Sequence, residues 1–362
     1  MKNSTNIQQS SISPSPILDS EISLDELSAA IKGLSNGKSV SLDLISNEMI
    51  KCAGAPLTNV IMKLFNGCLK NGVYPWKTSV LSPIPKSGDK YNPDNYRAIA
   101  LGSCLAKLFS IILLKRIIEF RNQNCPDYPN QLGFTAKAQT NDHIFCLKTL
   151  IEKYASRPNL KLYTCFVDFR KAFDSVARDA LFYKISSLGI GGCYFKTLKN
   201  MYDNSSTRIK LIKKLSDSIK INNGVEQGHP LSPELFKIFI RDLSQELNIE
   251  GPSPTLVTTP VSHLLWADDL VLLSLNESHL QDLLNKLHDY CSIWGLEINI
   301  KKTKVMIFNK AGRLITPNQP FKLGDLIVEV TKTYCYLGIV FTASGSFKEA
   351  ISELRKKSLR AL

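Results

Sequence analysis

Two adjacent aspartates interrupt an otherwise apolar stretch, HLLWADDLVLLS, at residues 263–274. Burying a carboxylate without a partner costs several kcal/mol, so the placement of Asp268 and Asp269 limits what this segment can be. Two short apolar runs around a polar centre predict a β-hairpin, in which aspartate is an ordinary turn residue. The alternative is a divalent metal site, because Mg²⁺ prefers carboxylate oxygens together with substrate phosphates. A third carboxylate on a neighbouring strand would favour the metal site.

The run KLYTCFVDF at residues 161–169 supplies a third carboxylate. It is rich in β-branched and aromatic residues and therefore predicts a buried strand that reaches Asp168 near its end. If this strand pairs with the hairpin, Asp168, Asp268 and Asp269 come together. Two metal ions about 3.5–4 Å apart could then hold the attacking and leaving oxygens of a phosphoryl displacement. The plainer interpretation, a strand that simply ends in an aspartate, stays open on these residues alone.

Composition narrows the class of protein. The chain has 362 residues and 44% hydrophobic content, enough for two or three subdomains. With 45 Lys and Arg against 32 Asp and Glu, the net charge of +13 favours a polyanionic partner without identifying it. The 9 cysteines are scattered without a CxxC pair, which is typical of a reducing compartment. We expect no signal peptide and no membrane span, because no apolar run is long enough.

Periodicity predicts the order of elements along the chain. Ser, Asn, Gln and Pro dominate residues 1–22 and predict a disordered N-terminal tail. Amphipathic and alternating patterns then predict helices near 23–34, 44–53, 56–71, 102–122, 139–155, 175–188, 232–247 and 277–294, strands near 79–86, 303–309 and 326–330, and a basic hairpin near 207–224.

Three segments in a fixed order carry a family resemblance: FVDFRKAFDSV, GVEQGHPLSPELFKIFI and WADDLVLLS. Together they resemble the palm motifs of reverse transcriptases, and most closely those of non-LTR (LINE-type) retrotransposons. NGKSVSLDLISNEMIK, PIPKSGDKYNPDNYRAIAL, NQLGF, WGLEINIKKTKVMIF and YCYLGI extend the resemblance over about residues 23–345. The resemblance implies an α+β fold of right-hand polymerase architecture, with an antiparallel-sheet palm that has helices on one face, mostly helical fingers and a truncated thumb.

The same resemblance implies the domain limits. We expect fingers at 23–160 and a palm at 161–345. Within the palm we expect a fingers insertion at about 184–222 and the primer grip at about 333–345. Residues 346–362 would begin a truncated thumb.

The resemblance also implies the catalytic roles. Asp168 and Asp268 would be the main ligands of two Mg²⁺ ions, Asp269 a supporting acid, and the Phe169 carbonyl a further metal ligand. Phe173 matches the residue that excludes a ribose 2′-OH, the group that distinguishes ribonucleotides from deoxyribonucleotides, and it therefore favours DNA synthesis. An ordinary core aromatic is the alternative for Phe173.

Further matches concern the nucleotide and the primer. The resemblance implies dNTP contacts by Lys86 and Arg97 on the triphosphate, by Gln227 and Gly228 beside the nucleotide and template base, and by Lys302 near the leaving pyrophosphate. It implies a primer grip formed by Tyr336, Leu337 and Gly338. Cations stabilise charge on a transferred phosphate, which is the chemistry that the lysines and the arginine would supply.

Several positions depart from the family pattern. The segment GFTAKAQT at 133–140 lacks the two arginines usual there, Trp266 replaces a Tyr or Phe, and His229 replaces a small residue. The predicted function is nevertheless an RNA-directed DNA polymerase that uses Mg²⁺, an RNA template, a DNA primer and dNTPs. We expect an intracellular location, nuclear or cytoplasmic or both. The alternatives are a group II intron maturase-like or other palm polymerase, and an inactive copy that only binds RNA.

Overall fold

The computed structural model describes residues 13–85, 89–211 and 214–361. These residues divide into two compact units. The first holds the described residues up to Asp127 together with Val176–Phe239. The second holds Tyr128–Ser175 together with the described residues from Ile240 onwards. None of the described helices combines the length and apolar character needed to cross a bilayer.

The helices of the described residues follow the predicted order, with further helices at positions where none was expected. They are α1 (Pro16–Asp19), α2 (Leu24–Lys32), α3 (Asn47–Cys52), α4 (Gly54–Asn71), α5 (Cys104–Asn124), α6 (Thr140–Ala155), α7 (Ala172–Ser175), α8 (Arg178–Ser187), α9 (Gly192–Tyr202), α10 (Ser232–Phe239), α11 (Leu243–Glu246), α12 (Glu277–Trp294) and α13 (Lys348–Ala361). A 3₁₀ turn lies at Pro93–Asn95.

The strands of the described residues are shorter and more numerous than the predicted ones. They are β1 (Thr78–Pro85), β2 (Tyr96–Leu101), β3 (Lys161–Asp168), β4 (Ser206–Leu211), β5 (Lys214–Leu215), β6 (Ile219–Lys220), β7 (Thr255–Leu256), β8 (Thr259–Pro260), β9 (His263–Trp266), β10 (Asp269–Ser274), β11 (Lys304–Asn309), β12 (Lys322–Leu323), β13 (Leu326–Ile327), β14 (Glu329–Val330), β15 (Thr333–Tyr336) and β16 (Ile339–Thr342).

The first unit surrounds a sheet in which β1 lies between β2 and β4. β2 is antiparallel to β1, β4 is parallel to it, and both β5 and β6 pair with β4. The long helix α5 runs through the core of this unit, because Leu108, Phe109, Ile112, Leu113 and Ile117 are all fully buried. A helix that is apolar on most of its surface is a helix that is enclosed on most sides.

The N-terminal tail is ordered over more of its length than the sequence predicted. Leu18 of α1 is fully buried. Arg116 of α5 donates to the carbonyls of Leu18 at 3.1 Å and Ser20 at 2.6 Å, and it pairs with Glu26 at 2.7 Å. Arginine is rarely buried without such partners, so these bonds fix the segment. The prediction of disorder through residue 22 is therefore wrong for the described part of the segment.

The second unit is built on a five-stranded sheet of order β14–β11–β3–β10–β9. Every pairing in it is antiparallel except that of β11 with β14. The sheet predicted from the apolar runs is thus confirmed, with the buried strand β3 at its centre. β15 and β16 form a separate antiparallel hairpin in the same unit.

Strand register sorts the residues of this sheet into two faces. Phe166 of β3 is paired with Val271 of β10 and with Lys304 of β11, and Val271 is paired with Leu264 of β9. Directly paired residues point to the same face, so these side chains form one row across the sheet. Residues of α6 and of the β15–β16 hairpin pack against this face in one hydrophobic cluster.

The opposite face of the sheet is covered by α12. This helix contacts both β3 and β10. Tyr163 of β3, which points away from the face of Phe166, lies near Glu277 in the first turn of α12. Helices therefore lie on both faces of this sheet, α12 on one and α6 on the other, whereas the resemblance implied helices on one face.

Candidate active site

Two of the predicted catalytic acids lie opposite each other in the sheet of the second unit. Asp168 is the last residue of β3 and Asp269 is the first residue of β10, and the antiparallel register pairs them directly. Residues paired in this way have Cβ atoms about 4.5–5.5 Å apart and share a face of the sheet. Trp266 of β9 is paired with Asp269 from the other side, so the row reads Trp266, Asp269, Asp168.

Asp268 lies in the turn that joins β9 to β10. With Trp266 paired to Asp269, the turn consists of Ala267 and Asp268, a two-residue hairpin connection. Ala267 has a φ of 56°, a left-handed conformation that costs a non-glycine residue about 1–2 kcal/mol. The hairpin predicted from the sequence is confirmed, and surrounding structure must hold its strained turn.

A segment from the NQLGF motif provides that support. Leu132 donates its backbone N–H to the Leu265 carbonyl at 3.1 Å, and Leu265 donates to the Asn130 carbonyl at 2.9 Å. The segment thereby adds a parallel edge to β9. Gly133 then lies so close to Ala267 that any Cβ on residue 133 would overlap its backbone. The sequence contained NQLGF as a family motif but gave no indication of this contact.

Three neighbouring carboxylates make the site strongly negative. Burial raises the pKa of Asp269 to about 6, and the charges of Asp268 and Asp168 contribute to the rise. The strand register and the turn fix the positions of these two neighbouring charges relative to Asp269. The ammonium group of Lys302 lies 3.8 Å from Asp168 Oδ2 and offsets part of this charge.

The backbone around Asp168 is anchored by the segment before β11. The Asp168 N–H donates to Thr303 Oγ1 at 3.2 Å, and the Asp168 carbonyl accepts from the Asn299 N–H at 2.8 Å. Phe169 is paired with Ile298 in an isolated antiparallel bridge. In such a bridge the flanking residues make the bonds, so the Phe169 carbonyl faces away from Ile298, towards the side where β10 lies. This orientation is compatible with the predicted role of the carbonyl.

Phe173 lies in the short helix α7 of the second unit. Its side chain is half-buried, and its ring meets that of Phe134 edge-on with centroids 6.2 Å apart. Phe134 comes from the NQLGF segment, so the same segment contacts both the acid turn and the predicted steric gate. The role of Phe173 in excluding a 2′-OH stays a prediction.

The predicted nucleotide contacts of the first unit are described only in part. Lys86 lies outside the described residues, and Arg97 is described only as a backbone position in β2. The Gln227 carbonyl accepts from the Ala100 N–H at 3.0 Å, which attaches its loop to β2. Gly228 has a φ of 98°, a conformation that favours glycine. Gly228 also borders a cavity of about 230 Å³ in this unit.

The predicted primer grip forms the tip of the β15–β16 hairpin. Tyr336 is paired with Ile339, and the turn residues Leu337 and Gly338 have φ values of 46° and 83°. Positive φ at both positions is typical of a type I′ turn, the common two-residue hairpin turn. Tyr336 is buried, and its hydroxyl lies 3.3 Å from Nδ1 of His143. The sequence gave no signal for His143, because this contact joins residues almost two hundred positions apart.

The three aspartates offer the type of ligand atom that a hard divalent cation binds. Carboxylate oxygens are the ligands that Mg²⁺ prefers, and the strand register pairs Asp168 with Asp269 beside the turn that bears Asp268. Among residues 13–85, 89–211 and 214–361, no three acidic, histidine or cysteine side chains already converge closely enough to hold an ion. The three-acid metal site therefore stays a prediction.

Known proteins resemble this chain over most of its length. Residues 84–341 match the family described as reverse transcriptase (RNA-dependent DNA polymerase). The Pol polyprotein of the type-1 retrotransposable element R2 from Popillia japonica is 29% identical over 92% of this chain and 47% of its own length. The probable RNA-directed DNA polymerase of transposon BS from Drosophila melanogaster is 27% identical over 88% of this chain and 35% of its own length. The RNA-directed DNA polymerase of mobile element jockey from Drosophila funebris is 25% identical over 92% of this chain and 36% of its own length.

The chain thus spans between about a third and a half of the length of these curated relatives. Among solved structures, apo telomerase from Candida tropicalis, truncated from its C-terminal domain, covers 78% of this chain and 59% of its own, with a TM-score of 0.49 and 14% identity. The predicted resemblance to reverse transcriptases of non-LTR retrotransposons is confirmed by the sequence relatives. The family match covers well over half of the chain, which therefore belongs to the reverse transcriptase (RNA-dependent DNA polymerase) family.

Proposed function

We propose that this chain is the RNA-directed DNA polymerase part of a non-LTR retrotransposon protein and adds dNTPs to the 3′-OH of a primer. The observation that carries the proposal is the direct pairing of Asp168 with Asp269, beside the turn that bears Asp268. Structural acids would more often be separated or paired with bases, because like charges directly opposite each other in a sheet are destabilising. A cationic ligand offsets that cost.

The acids would act by holding divalent ions. Reverse transcriptases generally use divalent metals, and we assign two Mg²⁺ ions to Asp168, Asp268, Asp269 and the Phe169 carbonyl. When bound, such ions activate the attacking hydroxyl and neutralise charge on the transferred phosphate. The protein contributes the orientation of the carboxylates, which the sheet register and the Asp168 backbone bonds provide.

Other residues would bind the nucleotide. Lys302 is exposed and next to Asp168, so its ammonium is free to turn towards a leaving pyrophosphate. The ring of Phe173 would select deoxyribose by occupying the space of a 2′-OH. We assign the triphosphate to Lys86 and Arg97, the base pair to Gln227 and Gly228, and the primer end to Tyr336, Leu337 and Gly338.

The template, primer and location are part of the same proposal. Membership of the family implies binding of a nucleic acid template and primer, and we specify an RNA template and a DNA primer. The net charge of +13 supports contacts with phosphates, and binding should weaken as salt rises. We also propose the fingers, palm and thumb limits given above and an intracellular location.

Primer extension tests the proposal. The purified chain, an RNA template, an annealed DNA primer, dNTPs and Mg²⁺ should give an extended product. Asp268→Asn should lower the rate by about 10²-fold or more, the usual effect of losing one group that stabilises the transition state. Asp289→Asn, which changes an exposed acid on α12, is the matched control and should extend normally. Extension that is equal in the wild type and Asp268→Asn would remove Asp268 from the mechanism.

A further inference from the structure

His143 of α6 is hydrogen bonded to the hairpin of the predicted primer grip. Its Nδ1 lies 3.3 Å from the hydroxyl of Tyr336, the last residue of β15 before the turn at Leu337 and Gly338. Both side chains are buried, with 1% of His143 and 3% of Tyr336 exposed. A hydrogen bond is directional, so this one constrains where the tip of the hairpin lies relative to α6.

The same imidazole also contacts the hairpin that carries the acids. The ring of His143 meets that of Trp266 edge-on, with centroids 5.8 Å apart and an angle of 77° between the ring planes. Trp266 is the last residue of β9 and is paired with Asp269 of β10. One side chain of α6 therefore touches both hairpins, and both contacts lie within the second unit.

Packing alone does not explain a histidine at position 143. Burial lowers the pKa of His143 to about 4, so its ring is neutral at neutral pH. Among the described residues, nothing forms a hydrogen bond with the buried Nε2 of this ring. A buried polar atom without a partner is destabilising, and an apolar side chain of similar size would avoid that cost. What histidine adds over such a side chain is the bond to Tyr336.

We propose that His143 is a positioning residue that holds the primer-grip hairpin in a fixed place relative to the β9–β10 hairpin. The tip of the first hairpin is assigned to the primer end and the turn of the second bears the acids, so the bond to Tyr336 sets how the primer 3′-OH is presented. That effect on the primer rests on the proposed function. The link between the two hairpins does not, because it consists of the two contacts of His143.

Tyr336→Phe tests the bond with the least disturbance, because it keeps the ring that packs against Phe166 with centroids 5.5 Å apart. In primer extension we expect kcat to fall about 10-fold, the rate equivalent of one hydrogen bond, while the KM for dNTP stays the same. Tyr154→Phe is the matched control. The hydroxyl of Tyr154, also in the second unit, lies 2.9 Å from that of Thr255, and its loss should leave kcat unchanged.

His143→Leu removes the other partner of the same bond. In the double variant with Tyr336→Phe, the loss of kcat should be about 10-fold smaller than the product of the two single losses, because a shared bond is lost only once. Single losses that multiply in the double variant would overturn the proposal, since the two residues would then act independently.

A further substitution at the same position separates positioning from stability. In His143→Asn the side-chain amide can still form a hydrogen bond with the hydroxyl of Tyr336. His143→Leu has no such group, but its apolar side chain suits a buried site better. We expect His143→Leu to have the higher Tm of the two and His143→Asn the higher kcat. If kcat follows Tm in these variants, His143 is a structural residue only and the proposal is overturned.

The primer end can also be followed without catalysis. A primer with 2-aminopurine at its 3′ end, annealed to an RNA template and bound without dNTP, should fluoresce differently with Tyr336→Phe than with the wild type or Tyr154→Phe. Equal emission from Tyr336→Phe and the wild type would overturn the positioning role. A wild type that binds this primer and template without extending the primer contradicts the proposed function only, and the emission then decides the role of His143. A wild type that does not bind them contradicts both.

Discussion

Gly133 lies directly against the backbone of Ala267 in the acid-bearing turn. A Cβ on residue 133 would be 2.1 Å from the Ala267 nitrogen, 2.8 Å from its Cα and 2.9 Å from the Trp266 carbonyl carbon. Real Cβ atoms do not approach backbone so closely, and backbone cannot rotate away as a flexible side chain can. The strained φ of Ala267 is therefore held in place by a neighbour that has to be glycine.

Gly133→Ala should displace the turn that carries Asp268. We expect a loss of stability of about 1–3 kcal/mol, the usual cost of overpacking, and a fall in primer extension of about 10²-fold, because a shift of 1 Å at reacting groups has that effect. Gly67→Ala in α4 is the control, since a Cβ there meets no atom within 4 Å. That variant should be neutral or slightly stabilising, as alanine replaces glycine within a helix. Normal activity of Gly133→Ala would contradict the contact.

A buried ion network in the first unit gives a second prediction. Arg121 of α5 bonds both Glu234 and Asp127, and Asp127 also pairs with Lys237. Arg121, Glu234 and Lys237 are almost fully buried. Removing one partner of a buried pair leaves an uncompensated charge, which costs about 3–5 kcal/mol. Glu234→Gln should lower the free energy of unfolding in urea by an amount of this order.

The control for that network is an exposed pair of the same kind. Lys148 and Glu152 are one turn apart on α6, and Nζ of Lys148 lies 3.0 Å from Oε1 of Glu152. The Glu152 side chain is largely exposed. Glu152→Gln should change the free energy of unfolding by less than about 0.5 kcal/mol. If Glu234→Gln and Glu152→Gln lower the free energy of unfolding equally, burial does not increase the contribution of the Arg121 network to stability.

Local patterns in the sequence predicted most elements of the fold. The helix expected near 277–294 is α12 with the same limits, because apolar residues recur on one face, Asn276 caps its start and Gly295 ends it. The strand expected at 161–169 is β3, because a short apolar run rich in β-branched and aromatic residues favours a buried strand. These signals lie within a few residues of one another, so one sequence is enough to detect them.

Contacts between distant segments could not be predicted in the same way. The single helix expected at 232–247 is interrupted after Phe239, whose carbonyl accepts from Nζ of Lys184 at 2.6 Å. The support of Ala267 by Gly133 and the bond between Tyr336 and His143 likewise join segments that no local pattern relates. The acids could be located from the sequence because Asp168 ends one apolar strand, and Asp268 and Asp269 lie where a turn meets the start of another. The residues that hold them in place have no comparable local pattern.

Phe173 gives a prediction about nucleotide choice. If its ring occupies the space of a 2′-OH, Phe173→Ala should raise incorporation of rNTPs relative to dNTPs by about 10-fold or more, because the pocket then admits one more small group. The measurement is the ratio of kcat/KM for matched rNTP and dNTP. Phe145→Ala, which removes an exposed ring from α6, should leave the ratio unchanged. An unchanged ratio in Phe173→Ala would identify Phe173 as a packing residue only.

His263 should make the stability of the second unit sensitive to acid. Burial lowers the pKa of His263 to about 4, and the nearby His143 lowers it further. The two ring nitrogens of His263 each lie 3.0 Å from a serine hydroxyl, those of Ser262 and Ser244. The unfolded chain, with an ordinary histidine pKa of about 6.5, binds this proton first, so stability falls as pH drops from about 6.5 to 4. Between pH 7.5 and 5.0 we expect this histidine to contribute a loss of about 2 kcal/mol. The free energy of unfolding in urea, measured at both pH values, should fall by about 2 kcal/mol less in His263→Gln than in the wild type. A variant as acid-sensitive as the wild type would show that His263 is not the group responsible.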